Sequence, residues 1–121
     1  MARKQAANAL GRTELMLAAR YQSKESVIET LNSSARRQQE LFVTDSDGRT
    51  ALFYAAERGD EEIVWVLLFA LAGTGIANQR GALLEVRDND GNRAEEWAQL
   101  NGQEEIRRIL SVERQRIEYF E

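Results

Sequence analysis

Neither cysteine nor histidine occurs anywhere in the 121 residues. Without thiols there is no disulfide and no thiolate metal site. Without imidazole, the side chain most often used as a general base near neutral pH is missing. Apolar stretches are short, and none approaches the roughly 18–20 residues that span a bilayer. The opening Met1-Ala2-Arg3-Lys4-Gln5 has no apolar run behind it and does not read as a secretory signal. A basic excess is lacking too: 16 Lys and Arg stand against 20 Asp and Glu, a net charge of −4. That balance argues against a broad nucleic-acid or anionic-membrane surface. The expected setting is cytoplasmic, with the nucleus as the alternative. What is present is 43% hydrophobic and 30% charged residues, enough apolar material for one core and enough charge to keep its surface wet.

Self-similarity organises the chain. Three segments align on Gly11, Gly48 and Gly91, which lie 37 and 43 residues apart. The first reads Gly11-Arg12-Thr13-Glu14-Leu15-Met16-Leu17-Ala18-Ala19 and the second Gly48-Arg49-Thr50-Ala51-Leu52-Phe53-Tyr54-Ala55-Ala56. The third, Gly91-Asn92-Arg93-Ala94-Glu95-Glu96-Trp97-Ala98, is more degenerate. Each runs on into a second apolar stretch: Val27, Ile28 and Leu31; Ile63, Val64, Leu67 and Leu68; Ile106, Ile109 and Leu110. Recurrence at three and four residues predicts helices. Gly59-Asp60 and Gly102-Gln103 break the paired helices, and Asp45-Ser46-Asp47-Gly48 and Asp88-Asn89-Asp90-Gly91 are strong turn signals. Each unit is therefore expected to be a turn, a short helix, a tight loop and a longer helix. Thr50 stands where it would cap the first helix of its unit.

This pattern resembles the ankyrin repeat. Asp45, Gly48, Thr50, Ala51, Leu52, Ala55, Ala56, Gly59, Val64, Leu67 and Leu68 all fall where that family's motif places those types. The preference for Asp-x-Asp-Gly and the irregular unit lengths are also similar to ankyrin proteins of protozoan parasites. The departures are specific. The family's Thr-Pro-Leu-His becomes Thr13-Glu14-Leu15-Met16, Thr50-Ala51-Leu52-Phe53 and Arg93-Ala94-Glu95-Glu96, so every unit loses proline and histidine. The resemblance implies an all-α solenoid of stacked helix pairs, six main helices in all. Its bounds are repeat 1 at about 8–44, repeat 2 at about 45–87 with a long insertion at 69–86, repeat 3 at about 88–111, and a helical tail at 112–121. The insertion reflects a unit longer than the usual 33 or so residues, and either lengthens a helix or forms a protruding loop. Degenerate outer units fit end caps, which turn a polar face to water, and fit equally a section cut from a longer array.

Aligning Gly48 or Gly91 with the glycine of a helix-loop-helix calcium loop puts Val43 or Val86 at its first ligand and Tyr54 or Trp97 at its closing glutamate. No metal is expected. Gly73-Thr74-Gly75 lacks the third glycine of a nucleotide fingerprint, where Asn78 stands, and no cofactor is expected. Glu61-Glu62 and Glu104-Glu105 are adjacent on helices and diverge by about 100°. They read as complements to helix dipoles, not as a catalytic pair, and no enzyme is expected.

The resemblance implies a protein-binding module whose partner lies on the concave face. The positions that map there are Arg12, Arg20 and Tyr21 in the first unit. The second contributes Ser46, Asp47, Arg49, Phe53, Glu57 and Arg58, and the third Asn89, Asp90, Asn92 and Asn101. Arginine and tyrosine are common interface anchors, and the four arginines suggest a partner segment of acidic character. A monomer is expected, free-standing or within a larger protein. Trp65 and Phe69 sit one turn apart on a second helix. They are expected to be covered by Ile76, Leu83 or Leu84 of the insertion. The alternative is an exposed aromatic patch used either for a partner or for self-association, the latter making the chain an oligomerising structural element.

Overall fold

A computed structural model describes residues 11–33, 40–70 and 78–120. Among them lie seven α-helices, one 3₁₀ turn and no strand. The first unit pairs α1 (Glu14–Tyr21) with α2 (Lys24–Asn32), and the 3₁₀ turn Glu40–Phe42 leads to the second unit. There α3 (Ala51–Arg58) pairs with α4 (Glu61–Phe69). A further helix, α5 (Asn78–Glu85), precedes the third pair, α6 (Ala94–Leu100) and α7 (Glu104–Phe120). Helices α1, α3 and α6 stack side by side as an inner layer, and α2 packs against α4 as part of an outer one. No helix among the described residues is long and apolar enough to cross a membrane.

Local chemistry sets the helix ends. The Thr13 hydroxyl accepts from Met16 N at 3.1 Å, Ser23 Oγ from Ser26 N at 3.2 Å, and Asp60 Oδ1 from Ile63 N at 3.1 Å. Each satisfies one amide that the first turn leaves open. Thr50 does not act this way. It is fully buried, its hydroxyl oxygen has no hydrogen-bond partner, and no side-chain cap forms. The backbone substitutes for it, with Phe53 N bonding Thr50 O at 3.0 Å. At the other end of α3, Gly59 takes φ 81°, a left-handed conformation that glycine adopts without a Cβ penalty.

The core is built by position. Leu15 and Leu52, Ala19 and Ala56, Val27 and Val64, and Leu31 and Leu68 are equivalent between the first two units, and all are buried. In the third unit the same four rows hold Glu95, Gln99, Arg107 and Ser111. Glu95 is met by Arg114 of α7 at 2.8 Å. The last pair therefore carries polar groups where the earlier pairs carry hydrocarbon, as a unit facing water requires. The connecting segments also feed the core: Leu41 and Leu84 are buried and each stands four residues before a turn aspartate.

The insertion differs from both expected forms. Helix α4 stops at Phe69, and α5 is a separate helix packed against α7 and α6. Leu83 and Leu84 are buried in the common core. Trp65 is partly buried against that core, and Phe69 is 48% exposed and stacked on Trp65 with ring centroids 5.3 Å apart. Ile76 lies outside the described residues.

Candidate functional site

The turn tips and the ends of the inner helices form one edge of the stack, and a ladder of Asp and Arg runs along it. Asp45 Oδ1 accepts from Asp47 N at 2.9 Å and Arg49 N at 3.1 Å. In the next turn Asp88 Oδ1 accepts from Asp90 N at 3.0 Å and Asn92 N at 2.9 Å. Each aspartate thus holds its own turn with one oxygen, as short acceptor side chains do in turns. The other oxygen of Asp88 faces back to the preceding unit. Arg49 Nε donates to Asp88 Oδ2 at 3.1 Å. One unit earlier, Tyr54 donates its hydroxyl to Asp45 Oδ2, and Arg12 Nε donates to the Tyr54 oxygen at 3.2 Å. Arg12 Nε itself lies 3.9 Å from Asp45 Oδ2. The turns also join through Asn89, whose N donates to Asp47 O at 2.9 Å and whose Nδ2 donates to Ser46 O at 2.8 Å. Gly48 is required here: its φ is 81°, and a Cβ would approach Asn89 N to 2.9 Å.

Burial and the bond to Asp45 hold the Tyr54 phenol above its ordinary pKa. Arg12, through its bond to Tyr54, holds its proton more tightly than a free guanidinium. Arg49 lies over the Trp97 ring at 3.8 Å and within 3.6–3.8 Å of Asp47 and Asp90 as well as bonding Asp88. One cation is therefore shared among three carboxylates. Trp97 Nε1 donates to Glu57 Oε1 at 3.1 Å, and Glu57 also lies 3.6 Å from Arg20. Arg20 stands over both the Tyr21 and Tyr54 rings at 5.3 Å.

Two residues reach back to seal the preceding inner helix. Arg58 Nη1 donates to Ala19 O at 3.2 Å and to Gln22 O, and Gln103 Nε2 donates to Glu57 O at 3.2 Å. A donor at a helix C-terminus satisfies carbonyls that have no partner within the helix.

The residues proposed from sequence thus divide. Arg12, Arg20, Arg49, Glu57 and Arg58 lie along the expected edge, but their charged groups are engaged between units. Tyr21 is 64% exposed, and the Asp47 and Asp90 side chains are 49% and 75% exposed. Asn92 is half-buried in its turn. Phe53 is corrected: it is 0% exposed, packed among α1 and α3 core residues, and has no surface to offer a partner. The sequence reading passed over Leu100, 67% exposed at the end of α6, and the linking roles of Asp45, Asp88, Tyr54 and Trp97. The signal for the ladder was present, since Arg12 and Arg49 each follow an aligned glycine and Asp45 and Asp88 each precede the next one by three. Among the described residues, no group of three or more potential ligands is placed to hold a metal ion.

A search of the curated proteins found no match. The family model described as ankyrin repeats, in 3 copies, matches residues 15–119. That span takes in all seven helices apart from the first and last residues of the set, so the chain belongs to the ankyrin-repeat family.

Proposed function

We propose that this chain is a non-catalytic protein-binding module that receives its partner on the edge formed by the turn tips and the inner-helix ends, the concave side in this family. Ankyrin repeats are in general protein–protein interaction modules, and fold alone does not identify the partner. The observation that carries the reading is that Tyr21, Leu100 and Asp90 stand exposed along this edge while the arginines among them are engaged within the stack. An exposed tyrosine and leucine on ordered helix ends offer contact area without an entropy cost of ordering.

The character of the partner follows from what the edge leaves open. An acidic segment was expected from the four arginines. Arg12, Arg20, Arg49 and Arg58 already have acceptors within the chain, and Asp47 and Asp90, though within 3.6–3.8 Å of Arg49, keep 49% and 75% of their side chains exposed. A partner offering hydrogen-bond donors or a basic group fits this edge better than an acidic one. The test is capture from the native source with the wild-type chain and with Tyr21→Ala/Asp90→Asn/Leu100→Ala. The substituted groups are exposed, so the melt is expected to be unchanged. Loss of a partner with the triple variant is the expected result, and undiminished capture would overturn the reading.

A further inference from the structure

The outer layer carries a second surface, independent of the concave edge. Helices α2 and α4 pack side by side, and between their C-terminal halves lies a groove of about 210 Å³ lined by Ile28, Leu31, Asn32, Val66, Phe69 and Ala70. Ile28 is 38% exposed and Phe69 48%, with Trp65 stacked against Phe69. Exposed apolar side chains that are contiguous, unlike singly scattered ones, mark a contact site.

Among the described residues, the charges on the two groove helices are mainly acidic. Glu25, Glu29, Glu61 and Glu62 are exposed on the two helices, one turn or less from Ile28 and Trp65. Lys24 is the only basic residue on either helix, and it pairs with Glu62 at 3.6 Å. The groove also lies at the C-terminal ends of α2 and α4, where backbone carbonyls give partial negative charge. Neither helix has a basic residue in its last turn. A second copy of the chain docking by this same face would set glutamates against glutamates, because a two-fold contact pairs a patch with itself. Hydrocarbon inside an acidic rim instead fits apolar anchors flanked by cations.

We propose that this groove docks a short amphipathic basic helix of a partner protein. One bulky apolar side chain enters against Val66 and Phe69, and lysines or arginines one turn away meet Glu25 and Glu29. This is the helix-in-groove mode of peptide recognition.

The probe is a synthetic helical peptide of leucine and lysine at 3–4 spacing, with a leucine–glutamate peptide as its control, titrated into the full chain and followed by fluorescence anisotropy. The leucine–lysine peptide is expected to bind at least tenfold more tightly than its control. Phe69→Asp, on an exposed position, is expected to weaken it tenfold or more. Glu25→Lys/Glu29→Lys, which leaves the apolar lining untouched, is expected to weaken it several-fold with an unchanged melt. Equal binding of the two peptides, or binding insensitive to both variants, overturns the proposal. So does a concentration-dependent dimer in sedimentation velocity that Phe69→Asp abolishes, since the occupant is then a second copy. Binding that appears only after residues 71–77 are replaced by Gly and Ser assigns the groove to the chain's own connection, and also overturns it.

Discussion

Asp88 uses its two oxygens for different ends. Oδ1 holds the turn through the amides of Asp90 and Asn92, while Oδ2 receives Arg49 from the preceding unit. Asp88→Ala removes both and leaves a cation without its closest acceptor, a loss expected to be on the order of 3 kcal/mol. Asp88→Asn keeps an acceptor for the turn and turns an amide toward the guanidinium, so about half of that loss is expected. Urea denaturation of the two variants separates turn from ladder, and equal losses would show that Arg49 contributes little. Tyr54 makes a prediction in pH. Its pKa is raised in the folded chain by burial and by its bond to Asp45. The folded state thus holds the proton more tightly than the unfolded one. That contribution is complete below the unfolded value of about 10 and is lost as pH rises through the folded value. Thermal melts from pH 9 to 11.5 are expected to fall more steeply for wild type than for Tyr54→Phe. Parallel curves would remove Tyr54 from the alkaline response.

The helices themselves depend on one another for burial. Leu52 and Leu67 are 1% and 0% exposed, and truncating either to alanine is expected to cost about 2–5 kcal/mol, measured by thermal or chemical denaturation. Gly59→Ala forces a side chain into the left-handed region and against Gln103, the residue that seals α3. A loss of at least about 1 kcal/mol is expected from the backbone alone. The paired helices were legible in the sequence because their apolar residues recur at three and four and repeat between units. Helix α5 was not: it carries Gly81 in its interior and adjacent leucines without a periodic stripe, so packing against α7 overrides weak local preference. Thr50 misled for a related reason. Its type signals a cap, but the close approach of neighbouring helices buries it at a depth that no local pattern reveals.

Over the whole molecule, the polar substitution of four rows in the third unit makes one face of the stack wet. Glu95→Leu/Gln99→Ala/Arg107→Val/Ser111→Leu restores the apolar rows of the second unit. This variant is expected to associate with increasing concentration in sedimentation velocity while wild type does not. A monomeric variant would show that those rows do not govern the end face. The candidate edge was legible as a location but not in its chemistry. Arg12 and Arg49 look like free anchors in a linear string, and their acceptors come from the next unit, 33 and 39 residues onward. The two back-reaching seals carry a mechanical consequence. Arg58 closes the end of α1 and Gln103 the end of α3, whereas α6 closes its own end through Asn101 Nδ2 on Trp97 O at 2.8 Å. Peeling the third pair away therefore uncovers Glu57 O of its neighbour, while peeling the first pair away strips Arg58 of its acceptors Ala19 O and Gln22 O. Separating the units at either junction therefore costs a helix-end seal in addition to the apolar contact, so neither outer pair can fray without exposing polar groups that its neighbour had satisfied.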